Sequence, residues 1–140
     1  MTDPTTASPP SDSPRGLLLF AHGARDPQWA QPFQAVATRC AAALGSDRVA
    51  LAFLEFMTPD LVAGGTQLVA QGCRSVDVVP LFLGAGGHVR KDIPVLMARL
   101  RAEHPEVRFQ LRPAIGEAAA VVDAMAAVAL AGNTAEVQVQ

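Results

Sequence analysis

Three side chains stand out for the chemistry they could share. His22 closes the apolar run GLLLFA, His88 follows a GAGG stretch behind the apolar run SVDVVPLFL, and Glu55 lies near the end of the stretch LAFLEF. Neutral imidazole is the commonest transition-metal ligand and accepts a proton near neutral pH. A carboxylate in an otherwise apolar strand is costly to bury unless it is paired or bound to a metal. Each residue has a plain structural explanation when taken alone: a histidine capping a strand, a loop histidine bonded to backbone, a solvated strand-end carboxylate. The histidines are more informative as a pair, because parallel strands would bring both imidazoles to one edge of a sheet. The third histidine, His104, precedes Pro105 at the end of a predicted helix, where an imidazolium gains modestly from the helix dipole, and no chemical role is expected of it.

The neighbours of these residues fit a ligand site. Gly23 leaves room for a ligand close to the backbone beside His22, and Gly86 and Gly87 permit an unusual chain path ahead of His88. The GAGG run lacks the spacing of either glycine-rich phosphate loop. Arg25, Arg90, Lys91 and Arg112 are expected at the same edge, a locally basic rim that Asp26 and Asp92 partly cancel. Such a rim points to an anionic substrate.

The elements that must position these groups alternate. Short apolar, β-branched or aromatic runs at 16–21, 48–56, 75–83 and 107–111 are followed by helical spacing at 27–44, 59–71, 93–103 and 117–131. This pattern predicts an α/β fold: an open, mainly parallel four-stranded sheet flanked by helices, a flavodoxin-like three-layer sandwich. Asp26 and Thr58, each ahead of a proline, are expected to cap helices, and Gly45 and Gly72 to close them. Pro80 falls inside the third strand, which must bulge there or have a neighbour that ends early. In such sheets the ligand lies outside the carboxyl ends of the strands, where the strand order reverses.

Composition limits the alternatives. The chain has 140 residues, 50% hydrophobic and 17% charged with net charge −2, which suits one domain at 16–132 between a Pro/Ser/Thr-rich tail at 1–15 and a short tail at 133–140. Eleven basic residues against thirteen acidic ones supply no broad phosphate-binding surface, so nucleic acid is not expected as a partner. No apolar run reaches the ~18–20 residues of a membrane span, and Asp123 interrupts the longest, so no membrane association is expected either. With six Phe, one Trp and no Tyr, a stacking platform for bases or sugars has little raw material. Cys40 and Cys73, both placed in predicted helices, suit reduced, packed thiols in the cytoplasm.

The stretches LLLFAHGARDP, VALAFLEFMTPDL and VVPLFLGAGGHVRKDIP, in this order and spacing, resemble the short sirohydrochlorin chelatases, the CbiX/SirB-like proteins of the class II chelatase group. The resemblance runs from about Gly16 to Gly116. It departs from the commoner HGSRDP form at Ala24, and Lys91 stands where an acidic residue is frequent. The resemblance implies a chelatase-like fold and a lyase that inserts Co²⁺ or Fe²⁺ into sirohydrochlorin, in cobalamin or sirohaem biosynthesis. It also implies that His22 and His88 bind metal and act in insertion, with Glu55 assisting. In that setting Arg25, Gly86, Gly87, Arg90 and Lys91 would meet the macrocycle and its carboxylates. No permanently bound cofactor is expected; the divalent metal, with Ni²⁺ also possible in a test tube, is a substrate.

Two other readings compete. A non-catalytic tetrapyrrole or metal carrier would keep the fold and ligands without turnover. A histidine-nucleophile phosphohydrolase is disfavoured because such enzymes place Arg before the histidine, where this chain has Ala21. A domain this small is short for enclosing a macrocycle, and long members of the resembled family contain two copies of it. A homodimer whose copies face one another across the tetrapyrrole is therefore expected.

Overall fold

The computed structural model describes residues 15–84 and 86–132, with the side chain of His88 outside the description. The tail expected at 133–140 lies outside these residues, as does the tail expected at 1–15 except for Arg15, which belongs to the first strand. The strands are β1 (Arg15–Ala21), β2 (Val49–Phe53), β3 (Ser75–Pro80) and β4 (Arg108–Leu111). The helices are α1 (Gln31–Leu44), α2 (Leu61–Ala70), α3 (Gly87–Glu103) and α4 (Ala119–Leu130), with short 3-10 turns at Pro27–Ala30, Ser46–Arg48 and Ile115–Glu117.

The four strands form one parallel sheet in the order β2-β1-β3-β4, so the order reverses between β1 and β3. Leu18 stands between Ala50 and Val78, and this register sends Leu18, Phe20, Ala50, Ala52, Val76, Val78 and Phe109 to one face. That face is the main core, closed by Leu61 and Leu68 of α2 and by Ile93, Met97 and Leu100 of α3. Gly64 and Gly65 cost α2 some helix propensity but let it sit against Leu18, Ala52 and Leu100, which an added Cβ at either would crowd. On the other face α1 and the turn before it cover Ala21 and Phe53. Among the described residues no helix covers β3 and β4 on this face, since α4 packs appreciably only on the turn that precedes it.

Several expected boundaries move, each for a physical reason. Helix α3 begins at Gly87 rather than Ile93, so His88, Arg90 and Lys91 ride on its first turns and not on a loop. Pro94 reads as a first-turn proline but lies inside the helix. Strand β2 stops at Phe53, because 54–59 loops out before Phe53 bridges to Asp60. Asp60, not Thr58, caps α2, accepting a hydrogen bond from the Ala63 N–H at 2.9 Å. Asp26 caps as expected, accepting from the Gln28 N–H at 2.9 Å, although the first turn it caps is 3-10.

Strand β3 ends at Pro80 and the neighbour ends early, as one of the two alternatives required. The Arg112 N–H donates to the Val78 carbonyl at 2.8 Å, so residues of that parity face β4; the N–H that Pro80 lacks would point past the end of β4. Cys73 lies between α2 and β3 instead of in a helix; it is fully buried and burial pushes its thiol pKa up, while Cys40 is half-buried and both are free thiols. His104 stands at the end of α3, as its place in the sequence suggests, and shares a 2.8 Å hydrogen bond with Thr66 of α2.

Candidate active site at the carboxyl edge

The reversal of strand order puts two loops side by side: residues 22–26 after β1 and 81–86 after β3. His22 leaves the end of β1 half-buried, its ring 5.3 Å from that of Phe82. It opens into a pocket of about 330 Å³ shared with Trp29, Phe33, Phe82, Leu83 and Gly84. The Trp29 and Phe33 rings meet tilted at 54°, with centroids 5.7 Å apart. The expected poverty of stacking groups is thus corrected by position: few aromatics are present, but the fold gathers them beside the histidine. This could not be read from the sequence, because Trp29 and Phe33 come from the turn before α1 and from α1 itself, and Phe82 from beyond β3.

The third loop is zipped to the first. Beyond the ends of β1 and β2, the Leu54 N–H donates to the Ala21 carbonyl at 2.8 Å and the Glu55 N–H to the His22 carbonyl at 3.2 Å. Gly23 makes this contact possible: its φ is +87°, and a Cβ there would run into the Glu55 carbonyl oxygen. The backbones of His22 and Glu55 are therefore held together, while the Glu55 side chain reaches solvent and is not a buried carboxylate. The next residue, Phe56, is the site feature the sequence did not reveal. It has φ +68° and is 56% exposed, with the Arg25 guanidinium 4.5 Å above its ring. A bulky residue in the left-handed region is uncommon and costs backbone energy, so its placement at this edge invites a functional explanation.

On the β3 side, Gly86 precedes α3 and Gly87 begins it, and a Cβ at either would meet nothing within 4 Å. Among the described residues, packing does not require glycine there and the space above them is open. Arg90 and Lys91 are exposed on the first turns of α3. The rim loses one expected member: Arg112 pairs with Asp77 at 3.2 Å on the sheet face, where Arg15 holds the same carboxylate at 2.9 Å. His88 lies on the first turn of α3 by its backbone, and its side chain falls outside the described residues. Among the described residues, no three His, Cys, Asp or Glu side chains gather as a metal-holding cluster.

A parallel α/β domain whose strand-order reversal carries a histidine, an aromatic pocket and a cationic rim defines a small-ligand site at the carboxyl edge of the sheet. The CbiX family profile matches residues 16–130, and the chain belongs to that family. It is 31% identical over 111 residues to the sirohydrochlorin ferrochelatase of Bacillus subtilis, covering 79% of this chain and 42% of that protein. It is 37% identical over 99 residues to the sirohydrochlorin cobaltochelatase of Saccharolobus solfataricus, covering 69% of this chain and 73% of that one. Its fold is similar to the crystal structure of a putative cobalamin biosynthesis CbiX protein from Marinobacter aquaeolei, with a TM-score of 0.74 and 34% identity across 84% of this chain and 96% of the other. The chain thus spans less than half the length of the Bacillus relative and most of the length of the other two.

Proposed function

We propose that this chain is a sirohydrochlorin chelatase, a lyase that inserts Co²⁺ or Fe²⁺ into the tetrapyrrole. The observation that carries the reading is the half-buried His22 at the strand-order reversal, in an aromatic pocket beside the helix start that bears His88. The two relatives named for ferrous and cobalt insertion support the same chemistry.

Insertion exchanges the metal's ligands for four ring nitrogens and releases two pyrrole protons. His22 and His88 hold the incoming ion through neutral imidazole nitrogens. Each lone pair becomes free to accept a proton as the ion passes to the ring. Glu55, exposed to solvent and tied to His22 through the backbone, takes the proton onward to water. Phe56 and the aromatic wall around His22 offer flat apolar contact to the macrocycle. Arg25, Arg90 and Lys91 receive its carboxylates, and the open surface over Gly86 and Gly87 lets the ring come close. The metal is a substrate, and the protein needs no resident cofactor.

The reading includes a homodimer, with two carboxyl edges facing one another across the ring. It also includes action in the cytoplasm, which two free thiols suit. No described helix is long and apolar enough to cross a membrane. The direct experiment is anaerobic incubation of the purified chain with sirohydrochlorin and Co²⁺ or Fe²⁺, following the absorption change of metallation. Multiple turnovers are expected. Stoichiometric binding without turnover would establish a carrier instead, and neither binding nor turnover would refute the reading.

A further inference from the structure

The loop after β2 carries a cation held in place without being neutralised. Three successive N–H groups fasten that loop: Phe53 donates to the Pro59 carbonyl at 2.9 Å, Leu54 to the Ala21 carbonyl at 2.8 Å and Glu55 to the His22 carbonyl at 3.2 Å. Phe56 comes next, turned outward at φ +68° and 56% exposed, with the Arg25 guanidinium carbon 4.5 Å from its ring centroid. An exposed cation–π contact is worth less than the left-handed backbone that accompanies it here, so the stability of the fold does not account for the pair. The use made of the other arginines is a second clue. Arg15 and Arg112 donate to the Asp77 carboxylate, Arg99 to that of Glu103, and Arg74 and Arg101 to backbone carbonyls. Arg25 meets a ring face instead, which leaves its N–H donors free for an anion. Among the described residues it forms no salt bridge, and the neighbouring Asp26 carboxylate accepts from the Gln28 N–H at 2.9 Å.

We propose that Phe56 is a positioning residue for Arg25: its ring holds the guanidinium ready for a peripheral carboxylate of the macrocycle, so that the pair selects carboxylate-rich tetrapyrroles. The inference rests on the chelatase reading, which supplies the ligand, and adds the residue that sets selection among ligands of that class. A guanidinium matches a carboxylate through two parallel N–H donors, but only when its plane is presented. A long side chain free in water loses rotamer freedom on capturing an anion, whereas one already laid on a ring has lost part of it beforehand. The loop also fixes where the carboxylate goes. Arg25 lies three residues beyond His22 and Phe56 directly follows Glu55, so the pair closes the same backbone zipper that joins His22 to Glu55. A macrocycle anchored by its rim at Arg25 therefore takes its register on His22 from that zipper. Arg90 and Lys91 are exposed on α3 without such a ring contact among the described residues, and they add attraction rather than orientation. The Phe56 ring, still more than half exposed, keeps surface for the macrocycle itself.

The test is equilibrium titration of the full chain with two metal-free porphyrins, the octacarboxylate uroporphyrin and the dicarboxylate deuteroporphyrin, followed by porphyrin fluorescence. The ratio of the two Kd values reads the selectivity. Phe56→Leu keeps the apolar bulk and removes the ring; it should lower the preference for the octacarboxylate by roughly 3–10-fold, the cost of ordering one long side chain anew. Phe56→Tyr should keep the preference. Arg25→Gln should lower it at least as far as Phe56→Leu does. Adding Phe56→Leu to Arg25→Gln should lower it no further, because a residue that acts through Arg25 then has nothing to position. A ring that only stacked on the macrocycle would weaken both porphyrins alike. An unchanged ratio in Phe56→Leu, or an equal further fall in the Arg25→Gln background, would overturn the positioning role. Chelation of sirohydrochlorin in the same preparations keeps the two readings apart, and in Phe56→Leu its KM should rise more than its kcat falls. Turnover with an unchanged ratio in Phe56→Leu refutes only the positioning, and a chain without turnover whose ratio falls in Phe56→Leu refutes only the chelatase. Neither binding nor turnover would overturn both.

Discussion

Gly23→Ala tests whether the His22 and Glu55 loops are locked together as the geometry requires. At φ +87° an L-residue is outside its favoured range, and forcing it there costs ~1–2 kcal/mol. The new methyl would also meet the Glu55 carbonyl oxygen, a backbone atom that cannot swing aside as a side chain can. Separating the loops sacrifices the 3.2 Å hydrogen bond from the Glu55 N–H to the His22 carbonyl, about 1 kcal/mol net. The loss of stability should therefore be roughly 2–3 kcal/mol, a Tm lower by about 10 °C for a domain of this size. Gly72→Ala is the internal control, with φ +100° and nothing within 4 Å of the added Cβ. It should carry the torsional cost of ~1–2 kcal/mol alone. Urea unfolding of both variants, with the chelation rate measured alongside, separates the contributions. Gly23→Ala should be the less stable by about 1 kcal/mol and lose most of its activity, since His22 moves with the loop, whereas Gly72→Ala should keep its rate. Equal destabilisation with an undiminished Gly23→Ala rate would show that the loops are not locked and that the site does not depend on their contact.

The remaining expectations are quickly tested. His22→Ala or His88→Ala should abolish turnover at unchanged Tm, and an active double variant would remove both from the site. Phe56→Ala loses the contact with Arg25, ~0.5–1 kcal/mol, and keeps the positive φ; Phe56→Gly loses the same contact but relieves the backbone. The glycine variant should be about 1 kcal/mol more stable than the alanine variant, while both raise KM for the tetrapyrrole. Burial raises the Cys73 pKa, so the unfolded thiol ionises first as pH rises. Stability is held below the unfolded thiol's range and lost as pH climbs through the folded one, a slope that Cys73→Ala should remove in alkaline urea titrations.

Much of this fold is legible from residues because the signals are local. The run GLLLFA is too uniformly apolar for a half-exposed strand, so it belongs inside a parallel sheet, and β1 is indeed its second strand in space. His22 was reachable for the same reason, since a polar residue at the end of such a strand must emerge at the carboxyl edge. What misleads is punctuation. Pro94 has the appearance of a helix start, and the GAGG glycines that of a loop, so the first turns of α3 are hidden and His88 is assigned to the wrong kind of element. Phe56 is hidden more deeply: its role depends on a left-handed backbone that nothing in LEFMTP announces.

The aromatic pocket and α4 define the limit of local reading. Trp29, Phe33 and Phe82 become one wall only after a sheet has brought a turn, a helix and a strand end together. Helix α4 goes one step further, for AAVVDAMAAVAL states that a helix exists and has an apolar side, yet among the described residues α4 packs appreciably only on the turn before it. A helix packing on its own sheet and a helix packing on a partner's leave the same sequence pattern, because the two arrangements bury the same side chains against the same surface. Only the path of the chain after Ala118 distinguishes them, and that path is set by Gly116 held under Leu83 at the edge where the site lies.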